Sequence, residues 1–435
     1  MSRLATYTAL AAGIALLAGS LVFSLPPQFT ASIEHPAIGY STRPVNDPVA
    51  RLNRRIAENQ AQLAFGGPSG YLRSVLAALD IPVESQTLVF SESSLQAEHI
   101  SKTNPRALFF NDSVAVGWVP GTNTLELAAQ DPEQGIIFYQ LAQTSQEKTP
   151  QEKPQFVRGT ECLQCHVGQF SGGVPGFLVM SMLPLSDDPN EYAQGWGVDH
   201  RTPLEDRWGG WYVTAKQAPN RHLGNVPVHH VEKSYVRAAV TPKLESVAGE
   251  FDAARYPSAH SDVVAQLVLN HQVAMMDLLI RLGWEARIAA HDAAPGQAAE
   301  LPARVRDVAH ELVDYLLFVD EAPLPSKVEG SSGYARQFSA RGPHDSQGRS
   351  LRDLDLEQHL FRYPCSYMIY TEAFDALPDP AKAAVYQRMW EILSGTETKQ
   401  AYTTRLSLAE RRAVVEILRE TKQGVPEYFE AKEVR

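Results

Sequence analysis

Residues 162–166 spell Cys-Leu-Gln-Cys-His, and this short motif constrains the fold more than any other feature of the chain. The chain has 435 residues and only three cysteines, of which Cys162 and Cys165 lie in the motif and Cys365 lies far from it. Three cysteines are too few for a disulfide-stapled scaffold. The chain must therefore bury an ordinary hydrophobic core, and its 44% of hydrophobic residues is sufficient for one.

Two thiols three positions apart, followed directly by a histidine, have a specific chemical use. Cys162 and Cys165 are spaced to add across the two vinyl groups of one haem, and His166 is then held where a ring nitrogen binds the iron. Three other interpretations stay open: a redox-active dithiol, a zinc site completed by Cys365 or another histidine, and a structural disulfide. The pattern favours one covalent haem c, which leaves Cys365 as a buried, inert thiol.

The amino terminus predicts export from the cytoplasm. Residues 4–25 follow Arg3 without a charge, and a helix of that length crosses a hydrocarbon layer of about 30 Å. We expect residues 1–27 to be a signal peptide or a membrane anchor, with the retained inner-membrane anchor favoured. Residues 28–45 are polar and interrupted by proline, which predicts a linker. Both alternatives place the remaining chain in the periplasm.

Hydrophobic spacing in the remaining chain predicts an α+β fold. In residues 46–155, two helices precede five short β-rich runs, which predicts a small α+β domain with a β meander. Residues 156–245 have little periodicity but many glycine, proline and aromatic residues, which predicts a loop-rich haem-binding segment. Residues 246–435 are predicted to form a mainly helical domain.

The net charge of −11 argues against a nucleic-acid partner, because a chain of this sign offers no basic surface for phosphates. The sequence contains no glycine-rich phosphate loop, no serine nucleophile elbow and no H-E-x-x-H zinc motif. We therefore predict no catalytic residues, and residues 162–166 remain the main signal of chemistry.

The motif resembles that of the c-type cytochromes. This resemblance implies thioether bonds at Cys162 and Cys165, proximal iron ligation by His166, and one haem per chain. Other stretches resemble a group of exported bacterial proteins that carry a cytochrome c domain, a group that brings no established activity. These stretches are residues 106–112, 199–203, 207–212 and 363–367.

A second axial ligand decides between an electron carrier and an open iron site. The sequence leaves six candidates for it open: Met180, Met182, His200, His222, His260 and His271. His229 and His230 lie in the same irregular region, and His260 and His271 are spaced to share a helix face. Arg201 and Arg207 are candidate counter-charges for haem propionates, with a solvated ion-pair turn as the alternative.

The sequence predicts a periplasmic electron-transfer protein whose single haem iron exchanges electrons with a redox partner protein. The alternative is a haem-dependent oxidoreductase with an open or displaceable sixth site for peroxide, oxygen or a small molecule. A haem-based sensor is a third option, although no signalling output domain is visible. The export segment and the motif support each other, because c-type haem is attached outside the cytoplasm.

Overall fold

A computed structural model describes residues 28–91, 94–144, 153–182, 195–225, 241–294, 301–431 and 434. The predicted signal peptide or anchor, residues 1–27, lies outside the described residues. Within them, an antiparallel sheet built mainly from the first part of the chain joins a mainly helical second part. The predicted α+β fold class is therefore confirmed.

Seven antiparallel strands form the main sheet, in the order β6-β5-β4-β3-β2-β1-β9. These strands are β1 (Thr87–Val89), β2 (Arg106–Phe110), β3 (Val114–Trp118), β4 (Thr124–Asp131), β5 (Gly135–Ala142), β6 (Phe156–Arg158) and β9 (Trp211–Tyr212). The predicted meander corresponds to β1 through β5, since each of these strands pairs with its neighbour in the chain. Two small ribbons pair β7 (Met180–Met182) with β8 (Gly195–Gly197) and β10 (Ala215–Gln217) with β11 (Glu329–Gly330).

Side chains alternate between the two faces of the main sheet, as the strand geometry requires. In β4, Leu125, Leu127 and Ala129 are buried, whereas the intervening Glu126 and Ala128 are only half-buried. One face of the sheet therefore belongs to the core, and the other face is left more open.

The described residues contain eleven α-helices. They are α1 (Pro48–Ala57), α2 (Leu72–Ala78), α3 (Leu163–His166), α4 (Val263–Asp292), α5 (Ala303–Leu316), α6 (Tyr334–Ala340), α7 (Glu372–Asp375), α8 (Asp379–Leu393), α9 (Gln400–Arg405), α10 (Leu408–Thr421) and α11 (Glu427–Ala431). Of these, α4 alone is long and apolar enough to cross a membrane. Most of α4 is buried by the rest of the protein, so it is the central core helix here.

The sheet and the helices share one hydrophobic core. Their buried apolar side chains form a single cluster that runs from Phe29 to Val434. Strands β6 and β9 come from the predicted haem-binding segment, residues 156–245, yet they complete the two edges of the main sheet. The predicted segments of the body therefore do not have separate cores.

Residues 28–45 are not the solvated linker that their composition predicts. Phe29 and Tyr40 are buried. The backbone N–H of Phe29 donates to the carbonyl of Gly172 at 2.8 Å, and the Tyr40 hydroxyl donates to the carbonyl of Ile136 at 2.6 Å. The polar composition hides these anchors, because only a few residues of the segment are buried, among them Phe29, Ile38 and Tyr40.

Asp47 connects the start of α1 to the core face of the sheet. Its buried carboxylate accepts hydrogen bonds from the backbone N–H groups of Val49 at 2.9 Å and Ala50 at 3.0 Å. The same carboxylate accepts a bond of 2.6 Å from the Tyr139 hydroxyl of β5. Burial raises the pKa of Asp47, and these hydrogen bonds oppose that effect.

Replacing Asp47 with alanine is expected to lower the free energy of unfolding by about 2 to 4 kcal/mol, because it removes a helix N-cap and leaves a buried tyrosine hydroxyl unpaired. Ser407→Ala is the matched control, since Ser407 caps α10 at an exposed site and its loss costs about 1 kcal/mol. Chemical denaturation followed by circular dichroism measures both losses. Equal losses would contradict the role of the Asp47–Tyr139 bond.

Candidate cofactor site

A cavity of about 380 Å³ lies against the more open face of the main sheet, and we call it the first cavity. Cofactor and small-molecule pockets commonly measure roughly 300 to 1,000 Å³. Ala115, Gly117 and Ala128 lie on this face and line the cavity. The strand register places Ala115 opposite Ala128 and Gly117 opposite Glu126. Small side chains at the centre of the sheet therefore leave the space.

Helix α3 brings the cysteine motif to the first cavity. Cys162 is the N-cap residue of α3, and Cys165 and His166 follow three and four positions later. Residues at these spacings share one face of a helical turn. Both thiols are free, and both line the cavity together with His166. The structure thus brings together all three residues that the sequence predicts for the site.

Apolar side chains provide most of the remaining wall. The segment 177–179 lines the first cavity, and so do Leu269 and Val273 of α4. Leu95 also lines the cavity, while 60% of its surface remains exposed. An apolar wall that is partly open to solvent fits a large, flat, mainly apolar group.

The backbone orients the His166 ring. Its Nδ1 lies 2.8 Å from the carbonyl oxygen of Gly176. Because a carbonyl oxygen only accepts, Nδ1 carries the ring proton, and the lone pair of Nε2 is left for a metal. Burial lowers the pKa of His166, which keeps the ring neutral and able to bind iron.

An ion pair supplies the charged part of the first cavity. Arg106 Nη2 lies 2.6 Å from Glu126 Oε2, and both residues line the cavity. The Arg106 guanidinium lies so close over Gly117 that a Cβ at that position would collide with it. Glycine is therefore required there for the arginine to lie across the sheet.

The thiol pKa and the ligand geometry of the described residues give little support to the redox dithiol and to the zinc site. Burial raises the pKa of Cys162 to about 11, and the carboxylates of Glu161 and Glu126 contribute to the increase. A reactive dithiol needs the thiolate form instead. Among the described residues, the one converging group of three potential metal ligands is a surface cluster. It consists of His35, His291 and Asp292.

The donor set therefore fits a haem better than a bare metal ion. A haem takes two neutral thiols at its edge and one imidazole nitrogen at its centre, so the three donor groups do not need to converge on one point. Cys365 is buried and distant in sequence, and burial raises the pKa of its thiol, as expected of an inert cysteine.

None of the six candidate sixth ligands lines the first cavity. Met180 and Met182 lie on β7. His222 is buried elsewhere, and burial lowers its pKa to about 4. His260 precedes α4, which begins at Val263, so the predicted helix face shared with His271 is wrong. His229 and His230 lie outside the described residues.

His200 and His271 form a separate buried pair. Their Nδ1 atoms lie 2.7 Å apart, and both rings stack against Tyr315. The Nε2 of His271 lies 2.7 Å from the Ser366 hydroxyl. Burial lowers the pKa of both histidines, that of His271 to about 3, so the pair is neutral.

The predicted counter-charges do not line the first cavity. Arg207 is buried, and it donates to the backbone carbonyls of Thr202 and His200 at 2.7 and 2.8 Å. Arg201 lines a second cavity of about 240 Å³. The two cavities share residues 177–179 and Val273.

Comparison of the chain with protein-family models, with curated proteins and with solved structures gives no match. The assignment of the site consequently depends on the motif and on the geometry around it. Sequence reasoning missed the small residues Ala115, Gly117 and Ala128. Their signal is weak, because small residues in a strand acquire a meaning only when the register places them side by side.

The raised pKa of Cys162 predicts slow alkylation at neutral pH. In the apoprotein of Cys165→Ser, where Cys365 is buried, reaction with iodoacetamide is expected to accelerate with pH towards a midpoint near pH 11. The physical reason is that only the thiolate reacts. Mass spectrometry after timed quenching measures the rate, and urea-unfolded protein is the control. Fast modification of the folded protein at pH 7 would instead support a redox-active dithiol.

Proposed function

We propose that this chain is a monohaem c-type cytochrome. Cys162 and Cys165 form the thioether bonds, and His166 is the proximal ligand of the iron. The observation that supports the proposal most strongly is the position of both thiols and the imidazole on one apolar cavity with a floor of small side chains. The bound haem supplies one-electron redox chemistry at the iron.

The protein residues attach, orient and enclose this group. The Gly176 carbonyl holds the Nδ1 proton of His166 and directs Nε2 to the metal. The segment 177–179 and the α4 side chains limit contact with water, and solvent exposure is one of the factors that set the potential of a bound haem. The Arg106–Glu126 pair is neutral as a unit, so it adds little net charge beside the iron.

We further propose that the protein works in the periplasm. The uncharged residues 4–25 serve as the anchor or as the cleaved signal, and the motif requires the haem attachment that takes place outside the cytoplasm. A redox partner protein supplies or removes electrons. The partly exposed Leu95 lies on the open side of the first cavity, where such a partner approaches.

Expression with a c-type haem maturation system is expected to give a protein whose mass is increased by one haem and which stays coloured after denaturation. Cys162→Ser and Cys165→Ser each remove one thioether bond, and the double variant loses all covalent haem. Cys365→Ser is the matched control and retains the haem, because Cys365 does not line the cavity. Intact-protein mass spectrometry decides, and colourless wild-type protein of apoprotein mass would disprove the proposal.

One observation on the first cavity supports the alternative, a haem-dependent oxidoreductase, as a second candidate function. Of the described residues that line it, His166 is the only methionine or histidine. Tyr139 also lines the cavity, but its hydroxyl donates a hydrogen bond to Asp47 and is therefore not offered to a metal. If the wall that the structure leaves undescribed supplies no such ligand either, the sixth position of a bound haem iron would be open to peroxide, oxygen or another small molecule.

The ferric holoprotein is expected to have a high-spin spectrum, and the ferrous form is expected to bind carbon monoxide. The reason is that no strong protein ligand from the described wall competes for the sixth position. Electron paramagnetic resonance and absorption spectroscopy measure both properties. Met180→Leu is the control and leaves the spectra unchanged. A low-spin spectrum without carbon monoxide binding would contradict the oxidoreductase and favour the electron carrier.

A further inference from the structure

One peptide group joins the motif histidine to a buried acid on the core helix. The carbonyl of Gly176 accepts the hydrogen bond from His166 Nδ1 at 2.8 Å. The N–H of the same peptide group belongs to Phe177, and it donates to Asp277 Oδ1 at 3.1 Å. The Gly176–Phe177 peptide therefore lies between the His166 ring and the side chain of Asp277.

The local packing fixes this arrangement. A Cβ at residue 176 would collide with the Asp277 carboxyl group, so the close approach requires glycine. The N–H of Gly176 donates to the carbonyl of His166 at 3.0 Å, and this second hydrogen bond holds Gly176 next to the motif. Asp277 itself lies within the long helix α4 and is only 7% exposed. The peptide thus has little freedom to rotate.

Asp277 has no ion-pair partner among the described residues, although a cation lies one helical turn away. Arg281 instead pairs with Glu285 at 3.1 Å and with Glu311 at 3.2 Å. A buried carboxyl group without a cation destabilises a fold. The hydrogen bond from the Phe177 N–H partly compensates for the burial of Asp277, and it connects this side chain to the peptide beside His166.

We propose that Asp277 is a positioning residue for His166. Through the Gly176–Phe177 peptide it fixes the direction of the carbonyl that holds the Nδ1 proton, and it sets how strongly that carbonyl accepts. A stronger acceptor makes the imidazole more basic and stabilises ferric iron, so Asp277 lowers the reduction potential. This inference rests on the proposed haem function.

The surroundings of Asp277 determine which substitutions are informative. Burial raises the pKa of Asp277 well above its ordinary range, and the hydrogen bond from the Phe177 N–H opposes this effect. Asparagine has the same shape and keeps an acceptor oxygen, so it preserves the hydrogen bond from Phe177. Other charged or titratable groups line the second cavity beside Asp277. They are Asp199, Arg201, Arg281, Glu311 and Tyr315.

The test compares the reduction potentials of the holoproteins at pH 7. Asp277→Leu removes the acceptor and is expected to lower the ferric-to-ferrous ratio at a fixed applied potential roughly tenfold, a rise of about 59 mV for one electron. Asp277→Asn keeps an acceptor oxygen for the Phe177 N–H and is expected to stay closer to the wild-type potential than Asp277→Leu. Leu278→Ala is the matched control, because Leu278 lines the same second cavity and has no hydrogen bond to this peptide. The iron–histidine stretching frequency, measured by resonance Raman spectroscopy, is expected to fall in Asp277→Leu alone.

The mass of covalently bound haem distinguishes a failure of the proposed haem function from a failure of the proposed role of Asp277. Wild-type protein without covalent haem would disprove the proposed function. Haem-loaded variants with equal potentials and equal iron–histidine frequencies would overturn the role of Asp277 and leave the proposed function standing.

A second measurement keeps the proposal testable if Asp277→Leu does not fold. The potential of the wild-type protein is expected to fall as rising pH ionises Asp277, because the negative charge strengthens the Gly176 carbonyl as an acceptor. Asp277→Asn lacks this decrease. Identical pH profiles for wild-type protein and Asp277→Asn would overturn the proposal.

Discussion

The alternation of side chains across the main sheet is the constraint on which the rest of the structure depends. It gives β4 a core face, where Leu127 packs, and a second face, where Ala128 leaves space. The core face stabilises the fold, and Asp47 connects it to α1 through Tyr139. The second face borders the first cavity, because small side chains lie at its centre. A site for a large group therefore coexists with a well-packed core.

Environment assigns different roles to chemically identical side chains. His166 and His271 are both neutral because burial lowers their pKa values. His166 donates a hydrogen bond from Nδ1 to the Gly176 carbonyl, which leaves Nε2 without a partner in this bond, and the residue lines the first cavity. His271 uses both ring nitrogens within the fold, on His200 and on Ser366. Hydrogen-bond partners, rather than residue type or neutrality, distinguish the candidate ligand from the structural histidine.

The site is built from elements that are distant in the chain. Helix α3 supplies the thiols and the imidazole, β3 and β4 supply the floor, and α4 supplies both wall residues and Asp277. Because α4 is buried in the single core, the packing that stabilises the protein also holds Asp277 against the Gly176–Phe177 peptide. In this arrangement a change at Asp277 on α4 reaches His166, the proposed iron ligand, through one peptide group and without direct contact.

The sequence by itself determined the α+β class, the meander, the mainly helical character of residues 246–435 and the three residues of the motif. These follow from spacings of two, three and four residues, which covalent geometry fixes locally. It did not determine the anchoring of residues 28–45, the pairing of His200 with His271, or the absence of the six candidate ligands from the described cavity wall. Only the tertiary structure decided these features, because the groups that meet are far apart in the chain. His200 and His271 are 71 positions apart, and Tyr40 and Ile136 are 96 positions apart. Their contacts depend on how distant segments pack, and no local spacing in the chain encodes that packing.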